Sequence, residues 1–235
     1  MKFAYLIEPP FNFRDADDAV TGHDVEIARH VFGALGESFE PVETEFAQLL
    51  PGLATGDWHM TTGLFATEER RLTALFTRPI WALPDGFLVR RGNPLALTGY
   101  RSVAQHGTAT LAVIRDQFQH RSAVEFGLPE HRLKIFETYT EAATAVRDGT
   151  ADAYASVARA HAGFIAQNRC WNLETVEVPH FEKPPAFGAF AVSLQETALR
   201  DRIDAILRGW LGSTAHRRMA ARYGFSDAEI DLIAA

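Results

Sequence analysis

Cysteine is almost missing from this chain: Cys170 stands alone in 235 residues, so no intrachain disulfide can form and the redox compartment cannot be read from cysteine usage. Long apolar runs are missing too. None approaches the roughly 20 residues that span a bilayer, so no membrane insertion is expected. Basic charge is in deficit, with 23 Lys and Arg against 30 Asp and Glu, a formal net charge of -7 and a pI near 5.7. That balance argues against nucleic acid or an anionic membrane surface as partner. The nine histidines fall into no H-E-x-x-H or H-x-H spacing, and no metal site is expected. There is no G-x-S-x-G, P-loop or G-x-G-x-x-G either, and no cofactor is expected. The opening MKFAYLIEPPF lacks the basic start, apolar run and small-residue cleavage site of a secretory leader.

What is present is an ordinary globular composition, 47% hydrophobic and 23% charged, with enough chain for one large or two modest cores. Phe3–Ile7 reads as a first buried strand, ended by Glu8, Pro9 and Pro10, which cannot continue a central sheet. Ligands in open α/β sheets sit at such strand ends, which makes Glu8 and Phe11 site candidates. A helix is predicted from about His23 to Leu35 and closed by Gly36, then a strand over Phe39–Val42 and a helix over Phe46–Thr55 with Pro51 in its first turns. Asp85–Arg91 reads as a strand broken by Gly92 and Pro94, where a first crossing between two lobes is placed. Beyond it, strands at Ala109–Ile114, Leu133–Phe136, Ala151–Ser156 and Leu173–Val178 alternate with helices at Gln117–Phe126, Tyr139–Arg147 and Ala158–Gln167. This alternation suggests a mainly parallel sheet covered on both faces. Phe187–Val192 reads as a return crossing, and Leu194–Leu211 and Ala215–Tyr223 as closing helices.

The stretch Trp58–Pro79 holds the densest chemistry. Trp58–Thr62 reads as a short strand, Gly63 turns the chain, and Thr67 can cap a helix whose first turn carries Glu68 and Glu69. Arg70 projects from that helix, five residues after Phe65. A guanidinium can clasp a carboxylate through two charge-assisted hydrogen bonds, each worth roughly 1.5–3 kcal/mol when shielded from water. Arg71 is the alternative, and the two side chains diverge by about 100°, so one of them faces the site. From pattern alone, EERR reads rather as a solvated charge run with Phe65 in the core.

PPFNF at Pro9–Phe13, TGHDVEIARHVFGALG at Thr21–Gly36, LLPGLATGDWHMTTGLFATEERR at Leu49–Arg71 and FTRP at Phe76–Pro79 resemble, in order and spacing, the extracellular solute-binding proteins of polar amino acid uptake transporters. The likeness continues through LVRRGNP at Leu88–Pro94, DGTADAYASVARAH at Asp148–His161 and RRMAARYGF at Arg217–Phe225, nearly the whole chain. It implies a periplasmic-binding-protein-like fold of the second type, in which two α/β lobes are joined by a two-stranded hinge and a ligand binds in the cleft. Lobe one would hold residues 1–90 and 188–235, and lobe two 91–187. The resemblance further implies a monomer outside the cytoplasmic membrane, delivering a small zwitterion to the permease of an ABC importer and catalysing nothing.

In the resembled family the arginine after T-x-E holds the ligand's carboxylate, and Arg70 matches it. The family's ammonium-binding aspartate is replaced here by Val157. An ammonium left without an anion in a closed site would cost several kcal/mol, which disfavours ordinary α-amino acids. Phe11, Phe46 and Phe65 with Glu8 and Arg70 look like the site of ectoine and hydroxyectoine binders, in which rings surround a delocalised cation at roughly 0.5–2 kcal/mol each. Phe46 lacks the tyrosine hydroxyl common there, and IRDQ at Ile114–Gln117 replaces a glycine-rich turn. There Asp116 reads as an N-cap, and Arg115 or Gln117 as a ligand contact, with Gln117 taken into the candidate site. The three phenylalanines as plain core is the competing reading, with Trp81 and Tyr154 placed in site or core alike. Relatives of the fold include cyclohexadienyl dehydratases, where Glu8 or a histidine would serve as general acid, but no acid–base pair is visible. A receptor's sensor lobe would need a fused signalling segment.

Overall fold

The helix His23–Leu35 begins on Gly22 because the chain there must pass close to a preceding loop. Gly22 has φ 133°, and a Cβ on it would lie 2.1 Å from the Phe11 carbonyl oxygen. With no Cβ, the helix amides of His23 and Asp24 reach the Pro10 and Phe11 carbonyls at 2.9 and 3.1 Å. Gly36 ends the helix in the left-handed conformation expected of it. The buried face carries Val25, Ile27, Ala28, Val31 and Phe32.

The computed structural model describes residues 1–234. The chain divides into two units, Met1–Ala82 with the segment from Ala186 onward, and Leu83–Pro185. In the first, Lys2–Tyr5 is the centre of a parallel three-stranded sheet between Glu40–Glu43 and Met60–Thr61. Two antiparallel pairings bring the returning chain back: Gly188 opposes Phe65, and Ala191–Ser193 pairs with Ala74–Phe76. The core packs Leu49, Leu53, Trp58, Leu64 and Phe76 together, and the Trp58 indole N–H donates to the Leu49 carbonyl at 2.8 Å. The amphipathic helices Thr197–Trp210 and Thr214–Ala221 belong to this unit.

The second unit is a five-stranded sheet in the order Leu133–Phe136, Leu111–Ile114, Ala153–Val157, Asp85–Arg90, Leu173–Glu177. The first three run parallel, and Asp85–Arg90 is antiparallel to both of its neighbours. This family of short strands buries Phe87, Val89, Leu111 and Val113 with Leu97 and Tyr100. Among the described residues no helix is long and apolar enough to cross a membrane.

Several expectations need correction. Asp85–Arg90 reads from sequence as the end of lobe one, but its hydrogen bonds run to Ala153–Val157 and Leu173–Glu177, so the chain enters the second unit at Leu83. The helix expected over Phe46–Thr55 is a 3-10 turn, Phe46–Gln48, followed by an α-helix from Leu49. The return crossing is two strands, Ala186–Ala189 and Ala191–Ser193. Helices at Tyr100–Gln105 and Asp227–Asp231 were not foreseen, because each is short and takes its support from tertiary contacts.

Two histidines are buried neutral. His161 is sealed in the second unit, where its Nε2–H donates to the Gly86 carbonyl at 3.1 Å and its Nδ1 pairs with the Tyr139 hydroxyl at 2.6 Å; burial lowers its pKa to about 3. His216 accepts from the Gly212 amide at 3.0 Å, and burial with neighbouring His23 and Arg217 lowers its pKa to about 4. Both take up a proton near 6.5 once unfolded, so their stabilisation is complete above that pH and drains away as pH falls toward 4 for His216 and 3 for His161. Urea midpoints measured from pH 7.5 to 4.5 should fall with acid, each histidine contributing about 1.4 kcal/mol per pH unit at full effect. His161→Gln should be less stable at pH 7.5 and show a shallower acid slope; an unchanged slope would contradict the buried neutral ring.

Candidate functional site

The first unit's candidate site is assembled on one buried carboxylate. Asp24 is 1% exposed; its Oδ2 accepts from the Thr62 hydroxyl at 2.9 Å and the Gly63 amide at 2.8 Å, and its Oδ1 lies 2.8 Å from His23 Nδ1. Thr62 in turn accepts from Asn12 Nδ2 at 2.8 Å. Three segments distant in sequence, the loop around Glu8–Asn12, the helix start and the loop after Met60–Thr61, are thereby fixed to one another. His23 stacks on Phe225 at 4.0 Å, which closes the network on its far side.

On this frame the rings meet at Trp81. Phe65 stands edge-on to it at 5.2 Å, and Phe11 lies 5.7 Å away, itself 6.1 Å from Phe225. The indole lies close against backbone where side chains are missing: a Cβ on Gly188 would fall 2.0 Å from the ring, and one on Gly63 2.7 Å from Nε1. Trp81 is 6% exposed and, among the described residues, its Nε1 meets no hydrogen-bond partner. From sequence alone Trp81 reads equally as core. The signal that would have found it is the pair of glycines, which only tertiary structure brings against its ring.

Thr67 caps the turn Glu68–Arg71 as expected, accepting from the Arg70 amide at 3.2 Å. The two arginines then part company. Arg70 turns back, its Nη1 donating to the Phe65 carbonyl at 3.0 Å and its guanidinium lying 5.2 Å from the centre of the Phe46 ring. Arg71 instead lies over Phe76, at 5.5 Å. Phe46 is thus half-buried against the core with a cation on its face, while Phe11 and Phe65 are buried. Glu8 exchanges backbone hydrogen bonds with Asn12 and accepts the Phe11 amide at 3.0 Å, making the tight turn that presents Phe11.

Gln117 belongs to the second unit. It, and not Asp116, occupies the N-cap position of the helix Phe118–Glu125; Asp116 precedes it at φ 61°. Gln117 is 6% exposed, with Oε1 unpartnered. Val157 closes its strand beside Asp85 and is buried. Tyr154 is core, packed between Tyr139 and His161, and His59 accepts the Lys2 amide at 3.0 Å. Among the described residues no group of three His, Cys, Asp or Glu is placed to hold a metal ion.

Residues 2–226 match the family model for bacterial extracellular solute-binding proteins, family 3. The chain belongs to that family. It is 28% identical, over 96% of its length and 77% of the relative's, to a probable amino-acid ABC transporter periplasmic-binding protein of Sinorhizobium fredii. It is 27% identical, over 95% of its length and 73% of the relative's, to the arginine-binding protein ArgT of Corynebacterium glutamicum. The crystal structure of EhuB in complex with hydroxyectoine superposes at TM-score 0.88 with 26% identity, covering 100% of this chain and 93% of that one. The fold is therefore periplasmic-binding-protein-like, and the chain is a transport-associated solute-binding protein.

Two substitutions test the frame. Gly188→Ala should drive a methyl into Trp81, destabilising the fold by about 1–3 kcal/mol and shifting tryptophan emission. Asp24→Ala should cost about 3 kcal/mol in urea unfolding, since Thr62 and Gly63 lose a shared buried acceptor. A loss below about 0.5 kcal/mol would mean the loops hold without it.

Proposed function

We propose that the chain is the substrate-binding component of an ABC importer for a small zwitterion whose cation is substituted or ring-delocalised, an ectoine or betaine-type compatible solute above all. The observation that carries this reading is the company Arg70 keeps. Its guanidinium is held by the Phe65 carbonyl and the Phe46 face, and Phe65 itself packs its ring on Trp81, which also meets Phe11. A bidentate cation beside apolar ring faces suits a molecule with a carboxylate at one end and a diffuse positive charge at the other.

In this proposal Arg70 takes the carboxylate, Phe11, Phe46 and Phe65 flank the cationic part, Glu8 balances its charge, and Gln117 is the polar contact that the second unit offers. Val157 brings no anion to meet a free amine. EhuB bound to hydroxyectoine lends support by its likeness across the whole chain, and the valine sets the chain apart from binders that hold an α-ammonium on an aspartate. The ligand is bound and released unchanged outside the cytoplasmic membrane, for delivery to the permease.

Calorimetry across ectoine, hydroxyectoine, betaines, proline derivatives and the standard amino acids should place the tightest binding in the first three groups. Against the best of them, Arg70→Ala should weaken binding at least tenfold, for about 1.5–3 kcal/mol of charge-assisted hydrogen bonding removed. Equal affinity in Arg70→Ala and wild type would refute the assignment, and a standard amino acid as best ligand would refute the solute class.

A further inference from the structure

The second unit holds a buried charged cluster at one edge of its sheet. Asp85 opens a strand that runs antiparallel to Ala153–Val157, with Asp85 opposite Val157, so both stand at the edge where the parallel strands end. Ile114 ends at that edge and leads into the helix Phe118–Glu125, and Glu177 leads from it into the segment carrying Lys183. This is where α/β sheets receive ligands.

Asp85 is 2% exposed and, among the described residues, is the buried carboxylate of this unit. Its Oδ1 accepts from Gln119 Nε2 at 2.8 Å, and its Oδ2 accepts from the Tyr100 hydroxyl at 2.7 Å and from Lys183 Nζ. The same ammonium lies 4.3 Å from the centre of the Phe118 ring and 5.6 Å from that of Tyr100. Lys183 is not a wandering surface side chain. Its amide donates to the Pro179 carbonyl at 3.0 Å, and the neighbouring Glu182 carboxylate accepts the Arg101 amide at 3.3 Å, so the segment is pinned on both sides.

A carboxylate preoriented by two neutral donors, facing aromatic rings, is the chemistry that selects a primary ammonium. We propose that this cluster is an ammonium-binding pocket filled by the chain's own Lys183, and that Lys183 thereby sets specificity by denying a ligand's free amine the buried carboxylate of the second unit. The specificity half rests on the zwitterion reading above. Burial lowers the pKa of Lys183 while Asp85 opposes that shift. Removing the lysine leaves a buried anion without a counter-charge, which draws in a replacement cation. A trimethylated ammonium has no N–H to give Asp85 and a larger head, so it does not compete for such a pocket.

Lys183→Ala deletes the atoms of one propylammonium ion, and thermal melts of the full chain can return them. Propylammonium at tens of millimolar should raise the Tm of Lys183→Ala by several degrees, whereas tetramethylammonium and propanol should not. Wild type and the double variant D85N/K183A should not respond to propylammonium. A melt of Lys183→Ala indifferent to propylammonium, or raised equally by tetramethylammonium, overturns the pocket. For specificity, Lys183→Met keeps the apolar stem and frees Asp85; its preference for a primary-amine zwitterion over the N-trimethylated counterpart should rise at least about tenfold over wild type, and fall back in D85N/K183M. No rise in that ratio, or no binding of either compound, overturns the specificity role. The melts need no ligand for Arg70, so failure of the zwitterion reading registers separately as unchanged binding in Arg70→Ala.

Discussion

Asp24 sits where water cannot reach it, and a carboxylate in that position persists only if donors surround it. Thr62, Gly63 and His23 supply them, and Asn12 supports Thr62. The same bonds decide where Phe11 and Phe65 stand, because one lies next to Asn12 and the other two residues past Gly63. Everything proposed for the first unit follows from this frame: the rings converge on Trp81, and the Phe65 carbonyl is left in reach of Arg70. The first unit's loops are built on a polar core, and the cost of an unsatisfied carboxylate is what keeps them in place.

The second unit shows the same economy with the opposite outcome. Its buried carboxylate, Asp85, also collects donors from distant segments, but one of them is a full positive charge from Lys183. A desolvated ion pair of this kind adds little net stability, because the attraction mostly offsets the loss of hydration. On the proposal made for Lys183, its persistence at that end of the sheet is a matter of selectivity. Beside it, Val157 is neutral and buried, so on that proposal an incoming amine would meet one anion already claimed. Membership in the solute-binding family leaves such choices open, since ligand preference lives in a few side chains grafted on a shared scaffold.

Local signals carried most of the element reading. The helices His23–Leu35, Tyr139–Arg147 and Ala158–Gln167 and the strand Leu133–Phe136 lie where periodicity, caps and breakers put them, since each is long enough or well enough bounded to be specified by its own residues. Thr67 capping the turn of Arg70 was likewise legible, a contact of only three residues' reach. Asp85–Arg90 was legible as a strand but not as a member of the second sheet, because its partners lie more than sixty residues away.

The sequence by itself therefore determined the α/β alternation, the family likeness, the capped arginine turn and the missing anion at Val157. Those depend on residue type and near-neighbour spacing. Tertiary structure alone decided that Arg70 and Arg71 separate onto Phe46 and Phe76, that Trp81 is the meeting point of the rings against Gly63 and Gly188, and that Lys183 reaches Asp85 across 98 positions of sequence. Such contacts are selected by packing and by the need to neutralise buried charge, and both act only once the chain has folded back on itself.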